Sequence, residues 1–254
     1  MKLQELVMGI KAKRELSGIV DSVVNKALLN YMKKYRKSLE DMESMGKRER
    51  KVVIKYIRAE LRLYTGRFQK DARKRGKMVE TGDVSGLLMT HISTRERVDS
   101  YPKLKTFITG LKVKSILDLG CGLNPIALAK KGIFYYASDI KQDELEIIEL
   151  FFKKKGINGK SFVHDIREGV EILPEADLCL LFKVFEVVEK KYAEKILTGL
   201  KCKYILVSFP LQKISGRMMK RPEREWMNAL LSRIKYKYKT FKIGNEIFYF
   251  INKD

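Results

Sequence analysis

The stretch Ser115-Ile-Leu-Asp-Leu-Gly-Cys-Gly-Leu-Asn-Pro125 constrains the fold of this chain more than any other part of it. A run of apolar β-formers ends in Asp118, then Gly120 and Gly122 turn the chain, and a helix is predicted to begin near Asn124. Glycines let a ligand approach the backbone closely, and a helix N-terminus presents N–H groups. The sequence therefore predicts a strand–turn–helix unit with a ligand at the carboxyl end of the strand.

Two carboxylates indicate which ligand this unit holds. Asp118 precedes the glycines, where it would repel a pyrophosphate, and Pro125 replaces the third glycine of a dinucleotide-binding motif. Asp139, 19 residues after Gly120 and followed by Ile140, ends the next predicted strand, where it can accept both ribose hydroxyls. S-adenosylmethionine adds an ammonium and a sulfonium to its ribose, so the pair predicts a methyltransferase. The alternative is an ordinary strand–turn–helix with an incidental aspartate.

The charge of the chain favours a polyanionic partner. The formal net charge is +22, of which +13 falls in residues 1–110 and +9 in residues 111–254. A field this positive attracts polyanions and gives salt-dependent association, so we expect nucleic-acid binding. The alternative is a charge that serves solubility alone, as in a heat-adapted protein.

Other classes of protein are disfavoured by what the composition lacks. Cys121, Cys179 and Cys202 have no C-x-x-C spacing, and the chain has only two histidines, so no metal centre is predicted. No apolar run reaches the length of a membrane span, and the N-terminus has no signal core. We expect a cytoplasmic monomer.

The pattern of apolar residues differs between two parts of the chain and predicts two domains. Residues 1–110 carry apolar positions at helical spacing and no convincing strand pattern, whereas strands and helices alternate in residues 111–254. The helical stripes are Val20, Val23, Val24, Ala27, Leu28 and Tyr31, and Val53, Tyr56, Ile57, Leu61 and Tyr64. Strands are predicted at 115–119, 133–138, 161–164, 177–182, 204–209, 238–243 and 246–251, and helices at 124–131, 141–155, 188–200 and 221–235.

This alternation predicts an α/β fold with a parallel sheet covered on both faces. The last two strands are joined only by Ile243-Gly244-Asn245, which is too short for a crossover, so they form an antiparallel hairpin. The prediction is the Rossmann-like, seven-stranded fold of class I S-adenosylmethionine-dependent methyltransferases over residues 111–254. An all-helical domain precedes it over residues 1–110.

Further candidate residues lie where predicted strands end. Asp165 could accept a hydrogen bond from the adenine amino group or cap a helix, and these two roles can coexist. Ile166 could lie against the adenine face. Lys183 is either a strand-edge lysine that reaches solvent or a substrate contact.

The segment His91-Ile-Ser-Thr-Arg-Glu-Arg97 closes the helical half. Ser93 and Glu96 have capping-box spacing, which predicts a helix start. Arg97 would lie about one turn inside that helix, from where it could reach the carboxylate of the cofactor.

Two motifs that the sequence lacks limit which atom of the nucleic acid can accept the methyl group. No Asn/Asp-Pro-Pro-aromatic motif for exocyclic amino groups follows the strand 177–182, where Phe185-Glu186-Val187 stands instead. Neither that strand nor 204–209 is followed by the Pro-Cys pair of cytosine-C5 chemistry. Guanine N7 needs neither a base nor a covalent adduct, because its in-plane lone pair carries no proton. Catalysis would then rest on positioning and desolvation.

A dense basic run at 67–77 is a candidate RNA contact, the alternative being a solvated helix face. Its basic residues are Arg67, Lys70, Arg73, Lys74, Arg75 and Lys77.

These features together resemble the Arm family of aminoglycoside-resistance 16S rRNA methyltransferases, over most of the chain. The resemblance depends on five parts of the sequence. They are the segment 91–98, Ile116-Leu-Asp-Leu-Gly-Cys-Gly-Leu-Asn-Pro125, Ala137-Ser-Asp-Ile140, Leu181-Phe-Lys183, and Val207-Ser-Phe-Pro210 followed by Ile214-Ser-Gly-Arg217. Glu186 stands where that family usually has proline.

The resemblance implies methylation of N7 of one guanine in the decoding A site (helix 44) of 16S rRNA, on the assembled 30S subunit, with aminoglycoside resistance as the result. It implies that residues 1–110 dock on folded rRNA. It implies that Lys183 and Arg217 act on the target nucleotide. Residues that it implies in cofactor binding are Arg97, Gly120, Asp139, Asp165 and Ile166. The alternatives are a methyltransferase for another structured RNA, and an inactive RNA-binding protein with the same fold.

Overall fold

The computed structural model describes residues 2–65, 74–212, 219 and 222–253. A seven-stranded sheet forms its centre. The strands are β1 (Ser115–Leu119), β2 (Phe134–Asp139), β3 (Gly159–Val163), β4 (Ala176–Phe182), β5 (Cys202–Pro210), β6 (Lys237–Ile243) and β7 (Glu246–Asn252).

The order of strands is β3-β2-β1-β4-β5-β7-β6. Strands β1 to β5 pair in parallel, whereas β7 runs antiparallel to both β5 and β6. The predicted parallel sheet with a closing antiparallel hairpin is therefore confirmed. Leu119 lies opposite Ser138, so Gly120, the first residue after β1, lies beside Asp139, the last residue of β2.

Helices account for the rest of the described architecture. They are α1 (Lys2–Lys11), α2 (Asp21–Tyr35), α3 (Leu39–Ser44), α4 (Lys47–Thr65), α5 (Arg75–Thr81), α6 (Val84–Met89), α7 (Ile92–Glu96), α8 (Tyr101–Gly110), α9 (Asn124–Leu128), α10 (Gln142–Lys155), α11 (Ala193–Gly199) and α12 (Glu225–Arg233). Three predicted helices are shorter than expected. The helix predicted at 124–131 ends at Leu128. The segment 188–200 begins with a 3-10 turn at Lys190–Tyr192, and α12 starts only after Pro222.

The predicted capping box at Ser93 and Glu96 is wrong. Helix α7 begins one residue before Ser93, with His91 at its N-cap and no side-chain cap. A capping box does form at α3, where the Ser38 hydroxyl accepts from the Asp41 N–H and the Asp41 carboxylate accepts from the Ser38 N–H.

The sheet separates two hydrophobic cores, because successive side chains of a strand point to opposite faces. Ile116 packs with α5, α6, α8, α9 and α10 on one face, and Leu117 packs with α11 and α12 on the other. A third core joins α1 to α4, and the apolar stripes read from the sequence supply much of it. The chain thus passes from the third core to the first core between Leu61 and Val79. The predicted domain boundary lies at residue 110. No helix in the described part of the chain is long and apolar enough to cross a membrane.

The third core gives a stability test on α4. Ile57 is fully buried in it, whereas Val52 on the same helix is 63% exposed. We expect Ile57→Ala to lower the free energy of unfolding by about 2–5 kcal/mol, since it leaves a cavity. Val52→Ala should change it by less than about 0.5 kcal/mol. Urea denaturation of both variants measures the difference, and equal losses would contradict this packing.

Candidate active site

The carboxyl ends of β1, β2 and β4 surround the cleft that holds most of the predicted site residues. Its volume is about 970 Å³ when the open mouth is included. The glycine turn after β1, the loop after β2, the turn after β3 and the end of β4 all contribute to its wall. Open parallel sheets bind ligands at this edge.

The two glycines after β1 have left-handed backbone conformations, with φ of +62° at Gly120 and +48° at Gly122. A Cβ on Gly122 would lie 2.9 Å from Cε1 of His91, and one on Gly120 would lie 3.3 Å from Cγ2 of Val184. Both glycines line the cleft, so a side chain at either position would strain the turn and crowd the ligand space.

Asp139 ends β2 and faces the same cleft. Its Oδ2 accepts from the Gly122 N–H at 3.0 Å, and its Oδ1 accepts from the Ile140 N–H at 2.7 Å. Burial and the neighbouring Glu144 carboxylate raise the pKa of Asp139 to about 6. The loop around Asp139 thus holds its two carboxyl oxygens in place as hydrogen-bond acceptors.

Asp118, predicted as a cofactor-binding residue, is not among the residues that line the cleft, and its role toward the cofactor stays a prediction. Its side chain is completely buried, and Oδ2 accepts from the Tyr135 hydroxyl at 2.8 Å. Burial raises the pKa of Asp118 to about 7, although the Tyr135 hydrogen bond and the Arg97 charge act in the opposite direction. Because Asp118 is still inside β1, its side chain points to a face of the sheet and not to the edge.

Arg97 lines the cleft and is fully buried. Its Nε and Nη2 donate to the two oxygens of Glu246 at 3.0 Å each, and Nη1 donates to Oδ1 of Asn124 at 2.6 Å. The guanidinium lies 4.8 Å from the ring centre of Phe182. Burial would lower the pKa of Arg97, but the Glu246 carboxylate raises it above its ordinary value. The cation is therefore permanent and fixed in direction.

Asp165 caps the 3-10 turn Ile166–Glu168, with its Oδ1 accepting from the Arg167 N–H at 3.0 Å. Its carboxylate also pairs with the Arg167 guanidinium, at 2.6 Å between Nη2 and Oδ2. Burial acts to raise the pKa of Asp165, but the hydrogen bonds and charge of Arg167 hold it below its ordinary value. Asp165 and Ile166 both line the cleft. The capping alternative is therefore confirmed, and the adenine contact stays a prediction.

Lys183 follows β4 in a left-handed conformation, with φ of +60°. Its Nζ lies 2.8 Å from Oε2 of Glu96 and 3.4 Å from Oε1 of Glu246. The side chain thus lines the cleft beside Arg97, bound to two carboxylates. Arg217, the other predicted target-side residue, lies outside the described residues.

The sequence reasoning missed Glu246, His91 and Glu144. Glu246 joins Arg97, Lys183 and Ser208, whose hydroxyl donates to it at 2.5 Å. His91 lines the cleft against Gly122, and burial lowers its pKa to about 4, so it is neutral at pH 7. Glu246 lies at the start of a hairpin strand and belongs to no sequence motif that would indicate a functional role. His91 lies in the segment 91–97, but the sequence predicted no function for it.

The predicted RNA contacts divide into three groups. Arg67, Lys70 and Arg73 lie outside the described residues, and Lys74 and Lys77 are exposed. Arg75 is 1% exposed, which does not fit a contact with RNA phosphates. Its Nε donates to the Thr90 hydroxyl at 2.8 Å, and its Nη1 lies 3.5 Å from Oε1 of Glu144. Arg75 instead ties α5 to α10.

Comparison with known proteins identifies the family of this site. Residues 38–251 match the family described as ribosomal RNA methyltransferase (FmrO). The chain belongs to the FmrO family of ribosomal RNA methyltransferases. It is 25% identical to a 16S rRNA (guanine(1405)-N(7))-methyltransferase of Serratia marcescens, over the whole of both chains. An enzyme of the same name from Proteus mirabilis is 30% identical over 66% of this chain and 64% of its own length.

Solved structures show the same fold. The 16S rRNA methylase RmtB superposes with a TM-score of 0.78 at 23% identity, covering 100% of this chain and 99% of that one. The 16S rRNA methylase ArmA gives a TM-score of 0.58 at 27% identity, over 72% of this chain and 98% of its own. The class I methyltransferase fold is therefore confirmed for this FmrO-family enzyme.

The buried Asp118 gives a pH test of this geometry. Its folded-state pKa of about 7 is above its ordinary value of 3.8, so the folded protein binds more protons between these values than the unfolded chain. Its contribution to the free energy of unfolding should fall by up to about 1.4 kcal/mol per pH unit as the pH rises through that window. Asp118→Asn should lose this part of the pH dependence, whereas Asp99→Asn at an exposed position should keep it. Denaturation at pH 4–8 measures it, and parallel curves for wild type and Asp118→Asn would contradict the assignment.

Proposed function

We propose that this FmrO-family enzyme methylates N7 of a guanine in the decoding A site, helix 44, of 16S rRNA on the assembled 30S subunit. The observation that carries the proposal is the family match over residues 38–251 together with a cleft whose residues suit S-adenosylmethionine. The printed names of the Serratia and Proteus relatives support guanine N7 as the acceptor. The charge of +22 fits a ribosomal substrate.

The cleft residues match the chemical groups of the cofactor one by one. Asp139 would accept hydrogen bonds from the ribose hydroxyls. Gly120 and Gly122 leave the space that a Cβ would fill. Arg97 would bind the carboxylate of the methionine part. Asp165 and Ile166 would contact adenine, through its amino group and its ring face.

Methyl transfer to guanine N7 requires little more than correct positioning of the two reactants. Bound S-adenosylmethionine supplies a methyl group on a sulfonium, which the N7 lone pair can attack without the loss of a proton. Lys183, held by Glu96 and Glu246, would orient the target nucleotide, and Arg217 would act on the same side. Burial of the two reactants excludes water from the transfer.

Docking on the subunit is assigned to the helical region. The exposed Lys74 and Lys77 would contact RNA phosphates together with Arg67, Lys70 and Arg73. We do not include Arg75, because Thr90 and Glu144 hold its guanidinium inside the fold. Resistance to aminoglycosides would follow from modification of the decoding site.

The proposal predicts which particle and which atom are methylated. We expect labelled methyl groups on 30S subunits and not on 50S subunits, with borohydride and aniline cleavage at one guanine of helix 44. Expression in a susceptible bacterium should give resistance to gentamicin and kanamycin but not to apramycin. Label on adenine, or on tRNA alone, would overturn the proposed target.

Substitutions at Asp139 and Lys183 should affect different steps, cofactor binding at the first and methyl transfer at the second. Asp139→Ala should weaken cofactor binding by roughly 1.5–3 kcal/mol, because the ribose loses a charged acceptor. Lys183→Ala should change cofactor affinity by less than about threefold and lower methyl transfer on saturating 30S subunits by about tenfold or more. Calorimetry measures the first effect, and single-turnover transfer measures the second. If Lys183→Ala transfers methyl groups to 30S subunits at the wild-type rate, Lys183 has no role in positioning the target nucleotide.

A further inference from the structure

A second cleft lies in the helical region, between α1 and α4, and is separate from the cofactor site. Its volume is about 800 Å³ when the open mouth is included, and Gly9, Ala12 and Ile54 form its neutral part. The helices approach closely at Gly9, where a Cβ would lie 2.7 Å from Cδ1 of Ile54. The charged residues of this α1–α4 cleft are all cations. They are Lys13, Lys51, Lys55, Arg58 and Arg62.

The α4 cations lie on successive turns of one helix face. Lys51 and Lys55 are four residues apart, and so are Arg58 and Arg62. Like charges at this spacing repel and destabilise a helix. Glu15 balances Arg62, with 2.6 Å between Nη2 and Oε1. The charge of Lys13 also acts on Glu15. Lys51 and Lys55 form no ion pair with a described residue, so the cleft keeps positive charge on α4.

Arg58 makes the floor of the cleft suitable for an anion. The carbonyl groups at the end of α1 would by themselves repel negative charge. The Arg58 guanidinium donates to two of them, from Nε to the Ile10 oxygen at 3.2 Å and from Nη2 to the Gly9 oxygen. These bonds fix the half-buried guanidinium at the helix end and cover its negative partial charge. Lys51 and Lys55 remain exposed above it as mobile donors.

We propose that the α1–α4 cleft binds a backbone phosphate of the rRNA substrate, as a docking point separate from Lys74 and Lys77. The inference rests on the proposed ribosomal function. A fixed guanidinium surrounded by lysines suits a phosphate, because the oxyanion accepts charge-assisted hydrogen bonds from every side. The contact is independent of sequence, so it sets the position of the enzyme on the subunit and does not read bases.

The test replaces Lys51 and Lys55 together by glutamine and leaves Arg58, which has a structural role. The matched control is Lys237→Gln with Lys239→Gln, the same change of charge on β6 at the outer edge of the sheet. We expect the cleft variant to bind 30S subunits about tenfold more weakly at physiological salt, and its slope of log K against log salt to be less steep by about one to two units. Cofactor affinity should match wild type, and urea denaturation should show no loss of stability, because the variant only removes a repulsion within α4. A photo-reactive benzophenone side chain at Ala12, which lines the cleft, should crosslink to 16S rRNA.

The outcomes separate this proposal from the proposed function. If wild type binds and methylates 30S subunits while the cleft variant behaves like the β6 control, the phosphate site is wrong and the function stands. A crosslink to a ribosomal protein, or weaker binding with an unchanged salt slope, would also overturn it. If wild type itself neither binds nor methylates 30S subunits, the proposed function fails first.

Discussion

The buried ion pair between Arg97 and Glu246 holds the walls of the cofactor cleft together. The two residues are 149 positions apart, and both guanidinium-to-carboxylate hydrogen bonds measure 3.0 Å. Asn124 and Ser208 bind the same pair, so the start of α9, the end of β5 and the start of β7 meet at one charge cluster. Removal of one partner from such a pair costs about 3–5 kcal/mol, because the other charge stays buried. The cofactor cleft and the C-terminal hairpin therefore share one stabilising interaction.

A second connection joins the helical region to the cofactor loops. The Val20 N–H donates to the Ile140 carbonyl at 3.1 Å, and the Gln142 N–H donates to the Gly18 carbonyl at 2.9 Å. Lys26 pairs with Glu168, in the turn that carries Asp165. The loop of Asp139 and the turn of Asp165 are thus supported from outside by the helices that would face the ribosome. The helical region and the loops of the cofactor cleft are therefore in direct contact.

The sequence predicted the sheet well because its strands are apolar runs between clear turn signals, and the join from Ile243 to Asn245 permits only a hairpin. Asp139 lines the cleft, as its position at the end of a predicted strand suggested. Asp118 lies one residue before the end of β1 and is buried on a face of the sheet, which a strand boundary read from the sequence does not reveal. Arg75 looked like one more member of a basic run. Its burial depends on Glu144 and Thr90, which local sequence does not reveal.

The charge balance of the cleft follows from these long-range pairs. Glu246 faces Arg97 and Lys183, and although burial acts to raise the pKa of Glu246, these cations hold it below its ordinary value. Lys183 shares its ammonium between Glu246 and Glu96, so its charge is largely balanced at the cleft. Methyl transfer to N7 would move positive charge from the sulfonium to the guanine. Compensated cations can position both reactants without opposing that shift, whereas an unpaired lysine at the same place would repel both the cofactor and the product.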